Sequence, residues 1–232
     1  MNTILLHDIL FRCSEYAPVL KRTCREWKNI LETMTISRPI LTITSLAERG
    51  HDALLKDIGE DSSFVKERIN TLLSYASGGG HISTMRLLKE WGTTDYKQSL
   101  DYAAEGDHVE AMNLLKEWGA TNYDEALFFA AESGKIKAML LLKKWGATNF
   151  NTALNYAAEG GKVEAMHLLK EWGAADYYWA LCHAALRGQI VAMRLLKEWG
   201  ATDFDKALNC AVDCGHTEAY LLAKKWGGQL VF

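Results

Sequence analysis

Proline is scarce in this sequence of 232 residues. The sequence also has no cysteine spacing typical of disulfides, no surplus of basic residues and no long apolar run. Its five cysteines are odd in number and form no CxxC pair, which favours free thiols in a reducing compartment over a disulfide framework. No apolar stretch approaches the roughly 18 residues that a membrane-spanning helix needs, and the first ten residues lack the basic start of a secretion signal. We therefore expect a cytoplasmic protein without membrane association.

The charge balance and the missing motifs exclude further classes. A formal net charge of -3 and a pI near 6.2 argue against a general nucleic-acid binder, because phosphate affinity needs a surplus of lysine and arginine. The sequence contains no HExxH, no GxSxG, no GxxxxGK[ST] and no calcium-binding loop. It therefore predicts no catalytic residues, no cofactor and no enzymatic activity.

Tryptophan, in contrast, is abundant and regularly spaced. Six of the eight tryptophans are followed by glycine and recur at intervals of 27 residues, most of them inside the string LLKEWG or LLKKWG. A fixed period of this length indicates a solenoid of stacked supersecondary units. The units end at Gly92, Gly119, Gly146, Gly173, Gly200 and Gly227.

Each unit predicts two short helices. In the first helix, apolar residues recur at i, i+3 and i+4, as in Leu100, Ala103 and Ala104, which predicts one buried stripe with close approach between neighbouring helices. The second helix runs for about ten residues, as in 109–118. The first helix follows an Asp or Asn whose side chain can cap it. These expected caps are Asp95, Asn122, Asn149, Asp176 and Asp203.

A glycine is expected to end each first helix in the left-handed conformation, which costs glycine little. Asp107 takes this place in one unit. Because aspartate tolerates the left-handed region better than most residues, we expect an altered turn there and no lost repeat. The glycines of the series are Gly80, Gly134, Gly161, Gly188 and Gly215.

These strings resemble the ankyrin repeat over about residues 60 to 228. The segment 130–134, AAESG, and the leucine pair before Trp-Gly-Ala are similar to its two helices. The Thr-Pro of the ankyrin pattern is absent, and the period is 27 where that of ankyrin is 33. The resemblance implies an all-α solenoid of stacked helix-turn-helix repeats over residues 46–232.

The six missing residues can be located. Eight positions separate Gly92 from Leu100, as in every later unit, whereas fourteen separate Gly59 from Leu73. The first connection therefore keeps the full ankyrin length, and the later ones are expected to have lost the β-hairpin finger of that family.

The N-terminal residues 1–45 do not follow the repeat and predict helices over 4–13 and 18–31. The segment 20–31 resembles the end of an F-box, with Cys24 and Trp27 in its Cys-x-x-Trp pattern. That resemblance implies docking on the Skp1 adaptor of a ubiquitin ligase. A helical cap closing the solenoid would use the same residue types, so both interpretations stand. The apolar docking residues would be Leu5, Leu6, Ile9, Leu10, Leu20 and Trp27.

A partner is expected to bind at positions that vary between copies, because the recurring positions are needed for packing. In the ankyrin arrangement the first helix lines the concave face, and eight of its twenty varying positions are acidic whereas two are basic. This predicts a partner with a basic or polar surface and an aromatic anchor at its centre, although a merely solvated face would look similar. The candidate residues are Asp101, Glu105, Asp124, Glu125, Phe128, Glu132, Glu159, Tyr178 and Trp179.

Two further sets have simpler interpretations. The repeated tryptophan either covers apolar surface that the finger would shield or fills the core at a helix end. A lysine before it recurs in one register and, beside acidic neighbours, favours a solubilising surface over phosphate binding. A cluster of cysteine and histidine favours free thiols over a metal site. Its members are Cys182, His183, Cys210, Cys214 and His216.

The combination of an F-box-like segment with such uniform repeats resembles proteins of large DNA viruses of amoebae, which implies the cytoplasm of a host cell. We expect a monomeric, non-enzymatic adaptor that brings a target protein to a Skp1-containing ligase. The alternative is a binding or sequestering protein whose N-terminus only caps the solenoid.

Overall fold

The computed structural model describes residues 44–58 and 63–230, and the findings below concern these residues. Throughout this part of the chain the regular structure is helical, without any β-strand. Neighbouring helices pack in sequential order along one row. The expected all-α solenoid is confirmed.

Residues 44–48 are helical and precede α1 (Asp52–Ile58). The helices that follow come in pairs, which we number as units 1 to 6, each with a first and a second helix. The first helices are α2 (Ser63–Gly78), α4 (Lys97–Glu105), α6 (Tyr123–Ser133), α8 (Phe150–Glu159), α10 (Tyr177–Leu186) and α12 (Phe204–Asp213). The second helices are α3 (Ile82–Glu90), α5 (Val109–Glu117), α7 (Ile136–Trp145), α9 (Val163–Glu171), α11 (Ile190–Glu198) and α13 (Thr217–Lys225).

The core runs without interruption along the stack. Each first helix packs against the first helices of the neighbouring units and against the second helix of its own unit. The alanine pair of each inner first helix is fully buried at the contact, as Ala130 and Ala131 show in α6. The recurring leucine and methionine, Leu127 and Met139 in unit 3, are also fully buried. Because no helix pair could bury such a face alone, the stack is what stabilises each unit.

The turn between the two helices of a unit adopts the left-handed conformation as predicted. Asp107 has φ 62° where Gly134 has φ 71°. The aspartate also has a contact that glycine cannot make, since its Oδ1 accepts the backbone N–H of Ala138 at 2.9 Å in the first turn of α7. Asp107 therefore caps a helix of the next unit, which offsets the cost of its backbone conformation.

The expected helix caps are correct in part. Asn149 and Asp203 each accept a backbone N–H from the residue three positions on, at 3.2 and 3.5 Å. Asn122 makes no such bond, and its Nδ2 donates instead to the carbonyl of Lys97 and to Asp101. The sequence rule failed here because the amide finds acceptors in the preceding unit.

The first connection has the greater length that was expected, and part of that length is helical. Helix α2 has 16 residues and begins at Ser63, whereas α4 has 9 residues and begins at Lys97. Much of the longer connection is therefore added to the helix. The later connections, such as 91–96, contain no strand, as expected from their shorter length.

The recurring tryptophans lie at the ends of the second helices, half-buried against the core. From Trp118 onward, each packs beside the aromatic residue at the start of the first helix of its own unit, as Trp145 does beside Tyr123 with ring centroids 5.5 Å apart. A lysine of the preceding unit covers it, since Lys116 Nζ lies 4.7 Å from the Trp145 ring. The same trio recurs with Trp118, Trp172, Trp199 and Trp226.

Candidate partner-binding face

The outward side of the first helices forms one continuous surface, which we call the first-helix face. Three positions of each helix build it, separated by four and then three residues, so they lie above one another on the helix. The first position holds Gln98, Glu125, Thr152, Trp179 and Lys206. The second, the aromatic row, holds Tyr75, Tyr102, Phe129, Tyr156 and His183. The third, the acidic row, holds Glu105, Glu132 and Glu159.

The aromatic row runs across the units. Tyr75 and Tyr102 meet edge to face with centroids 5.8 Å apart, and Tyr156 lies 6.3 Å from the ring of His183. Phe129 has 38% of its surface exposed and lies between these two groups. Ring faces and edges of this kind offer a partner apolar area.

The acidic row differs in charge from one unit to the next. Hydrogen bonds from His183 and Arg187 outweigh the effect of burial and hold the pKa of Glu159 below its ordinary value. Burial, together with the nearby Glu159, raises the pKa of Glu132 above its ordinary value. In this row, Glu159 is paired with His183 and Arg187 in its ionised form. A cation bound at Glu132 would stabilise the ionised form of that side chain.

The predicted residues Asp101, Asp124 and Phe128 lie beside this face and take part in contacts between units. Asp101 accepts a hydrogen bond from Asn122 at 2.7 Å. Burial and the charge of Glu125 raise the pKa of Asp101 to about 7. Phe128 is half-buried and stacks on Tyr156, with centroids 5.4 Å apart and an interplanar angle of 5°. Glu125 is exposed on the face itself.

Asp124 belongs to a set of side chains that hold the units together. Its Oδ1 accepts the backbone N–H groups of Thr148 and Asn149, in the loop of the next unit, at 2.7 and 2.9 Å. Three other units have the same contact at the equivalent position. We call these four residues the loop acceptors, and they are Asn70, Asp124, Asn151 and Asp205.

Tyr178 occupies the loop-acceptor position in unit 5 and makes a different contact. Its ring packs edge to face on Trp179 at 4.9 Å, and within the described residues its side chain forms no hydrogen bond to the following loop. Trp179 is 47% exposed. Unit 5 thus lacks a bond that four units possess and has in its place the half-buried Tyr178 packed on the exposed Trp179.

The structure brings the predicted Glu105, Glu125, Glu132, Glu159 and Trp179 onto one face. The sequence reasoning missed the aromatic row, including Phe129. A usable signal was present, because aromatic residues recur every 27 positions at 75, 102, 129 and 156. Recurring positions are expected to serve packing, yet these rings are half-buried or exposed and therefore accessible to a partner.

The cysteines that the structure describes are free thiols. Burial raises the pKa of the Cys182 thiol to about 12, which makes it a poor nucleophile and a poor metal ligand. Across residues 44–58 and 63–230, no group of three or more His, Cys, Asp or Glu side chains could hold a metal ion. In the same ranges, no helix has the length and apolar character needed to cross a membrane.

The candidate docking residues Leu5, Leu6, Ile9, Leu10, Leu20 and Trp27 lie outside the described residues.

The fold and this face define a class of protein: a helical solenoid built from short repeats, whose first-helix face carries aromatic and acidic side chains. In comparisons with known proteins, the chain matches no family model and no curated protein.

Proposed function

We propose that this chain is a non-enzymatic interaction protein whose first-helix face binds a basic or polar segment of a partner protein. The observation that carries the proposal is the aromatic pair of unit 5. Tyr178 stands where four other units have a loop acceptor, and Trp179 is 47% exposed, whereas a lysine covers the tryptophan at the end of the second helix in units 2 to 6. A scaffold contact replaced by exposed aromatic surface is typical of a binding site.

Charge supports the same proposal. The face carries Glu105, Glu125 and Glu132, and the basic residues on it are fewer, with Arg187 engaged by Glu159. A basic segment would be attracted to these carboxylates, while the aromatic row supplies apolar contact. Trp179 also accepts a cation on its ring, since within the described residues no lysine or arginine lies over it.

Selection of peptides from a displayed library against the full chain tests this proposal. We expect the selected peptides to be rich in basic residues, and Trp179→Ala to weaken their binding about tenfold or more, as for a central anchor. Gln98→Ala, at the same position of unit 2, is the matched control and should leave affinity unchanged. Equal affinity of both variants and the native protein would contradict the proposal.

For the N-terminal segment we propose the F-box function, docking on Skp1 through Leu5, Leu6, Ile9, Leu10, Leu20 and Trp27. The support is the resemblance of residues 20–31 to the end of an F-box, joined to repeats that resemble ankyrin. The chain would then bring a bound target to a ligase, in the host cytoplasm if the resemblance to viral proteins holds. The alternative is a stand-alone binding or sequestering protein whose N-terminus caps the repeats.

Co-purification with Skp1 separates these two functions. We expect the full chain to retain Skp1 at micromolar concentration, and Trp27→Ala to release it while leaving peptide binding to the first-helix face intact. A native chain that fails to bind Skp1 at that concentration supports the capping function. The readouts are independent, because peptide binding concerns the repeats and Skp1 binding the N-terminal segment.

A further inference from the structure

Unit 5 shows how a guanidinium group binds on the first-helix face. Arg187 follows α10 and reaches back to unit 4, where its Nε donates to Glu159 Oε1 at 2.8 Å. His183 Nδ1 lies 2.9 Å from the other carboxylate oxygen. The carboxylate at the end of one first helix is thus the receptor for a cation placed just after the next first helix.

The equivalent positions in the preceding units carry no such cation. Arg187 follows Glu159 by 28 residues. At the same spacing, Gly160 follows Glu132 and Ser133 follows Glu105, so neither carboxylate has a basic residue at this position. At Gly160 the chain passes so close to unit 3 that a Cβ would collide with the carbonyl oxygen of Glu132. Position 160 therefore has no side chain that could occupy the space beside the Glu132 carboxylate.

A cleft of about 540 Å³ occupies this place. Its lining includes Phe129, which is among the exposed large apolar side chains of the described residues. Among the described residues, no cation lies within ion-pair distance of Glu105 or Glu132. Burial and the negative charge of Glu159 raise the pKa of Glu132, and the charge of Arg187 offsets that shift only in part. The lining residues are Glu105, Phe129, Glu132, Ser133, Lys135, Gly160 and Lys162.

We propose that this cleft binds the guanidinium group of an arginine side chain from a protein partner, with Glu132 as its carboxylate and Phe129 as the ring beneath it. The inference rests on the proposed function and specifies its chemistry. Arginine fits better than lysine because its planar group donates two parallel hydrogen bonds to a carboxylate and stacks on an aromatic face. The internal pair of Arg187 and Glu159 is the template.

The lysines of the cleft narrow the choice of partner. Lys135 and Lys162, which lie in the turns between the first and second helices of units 3 and 4, also line the cleft. The cleft therefore contains two acidic and two basic side chains. Within this cleft, a second basic residue directly beside the bound arginine would be repelled by these lysines. A single arginine followed by an acidic residue matches both sides, with the guanidinium toward Glu132 and the partner's carboxylate toward the lysines.

Nuclear magnetic resonance of the isotopically labelled full chain tests the site with a small probe, N-acetyl-arginine N-methylamide. We expect saturable shifts at the amides of Ser133 and Gly160, with a dissociation constant on the order of millimolar for so small a ligand. The citrulline counterpart has the same shape without the charge and should bind at least about tenfold more weakly. Equal shifts with both probes, or none with arginine, would overturn the inference.

Variants then locate the contact. Glu132→Gln should weaken arginine binding about tenfold, and Phe129→Leu, which keeps the apolar bulk, should weaken it several-fold. Glu117→Gln removes an exposed carboxylate from α5, away from the cleft and from the first-helix face, and is the control, with binding unchanged. Unaltered binding by Glu132→Gln, in a variant that unfolds at the native temperature, would exclude the site.

Failure here is distinguishable from failure of the proposed function. If selected peptides depend on Trp179 but contain no arginine and ignore Glu132→Gln, the face binds a partner and the arginine site is wrong. If the arginine probe binds but no peptide depends on Trp179, the cleft is a cation site and the proposed interaction face is wrong.

Discussion

Lys143 places its ammonium group 4.5 Å from the ring centroid of Trp172, a residue of the next unit. The same relationship joins each neighbouring pair of units from Lys89 to Trp226. The lysine row is therefore part of the contact between units, in addition to keeping this surface soluble. Its regularity follows from that role, because each unit presents a ring and receives a cation.

Replacing Lys143 by methionine tests this contact. Lys143→Met keeps a long apolar side chain over Trp172 but removes the charge, so we expect the free energy of unfolding to fall by about 0.5–1 kcal/mol. Chemical denaturation measures the change. Lys144→Met is the matched control, since Lys144 is the next residue on α7 and is also exposed, and among the described residues it lies over no ring. Equal losses in the two variants would contradict the prediction.

Much of the fold was predictable from repetition within the chain. The LLKEWG strings marked the ends of the second helices, and glycines such as Gly134 marked the turns, with Asp107 correctly expected to adopt the same conformation. These features are local, because helix periodicity and left-handed turns depend on residues close in sequence. Local rules therefore placed almost every helix.

The contacts between units were not predictable in the same way. The bonds from Asp124 to Thr148 and Asn149 span 24 and 25 residues, and no local rule pairs those side chains. At one position of the predicted face, the structure has Phe128 half-buried against Tyr156 and the neighbouring Phe129 exposed. One residue is about 100° of helix rotation, so a small error in register turns a packed ring into an accessible one.

Tyr178→Asn should separate stability from binding. Asparagine would supply the loop acceptor that four other units have. In unit 4, for example, Asn151 accepts the backbone N–H groups of Ala175 and Asp176 at 2.9 and 3.1 Å. We expect the free energy of unfolding to rise by about 1 kcal/mol, the usual net contribution of such hydrogen bonds. The same variant loses the ring that supports Trp179, so peptide binding should weaken.

Asn151→Ala is the reverse experiment, because it removes an acceptor that exists. We expect it to lower the free energy of unfolding by about 1 kcal/mol and to leave binding at Trp179 unchanged. Thermal and chemical unfolding measure the first effect and peptide titration the second. A Tyr178→Asn protein that is less stable than the native one would show that the tyrosine is a scaffold residue.

Asp107 combines a left-handed backbone with a hydrogen bond to Ala138, and the two can be tested separately. Asp107→Ala keeps the backbone cost and removes the bond, so we expect a loss of about 1–2 kcal/mol in the free energy of unfolding. Asp107→Gly removes both, and its loss should be smaller. Asp107→Asn keeps an acceptor and should be closest to native. A glycine variant less stable than the alanine variant would refute this order.

Asp101 makes stability depend on pH. Its pKa is raised from 3.8 to about 7 by burial, with Glu125 adding to the effect. The folded protein therefore holds a proton that the unfolded chain has lost, and stability falls as the pH rises from about 4 to about 7. Asp101→Asn keeps the acceptor for Asn122 but cannot ionise, so it should lack this loss.

The quantity to measure is the difference in free energy of unfolding between Asp101→Asn and the native protein, from urea denaturation at several pH values. We expect it to be smallest near pH 4 and to grow in favour of the variant up to about pH 7, by on the order of 1 kcal/mol because solvent screens part of the side chain. Glu117→Gln, which removes an exposed carboxylate from α5, should show no such trend. A difference that stays constant with pH would mean that Asp101 is ionised in the folded protein.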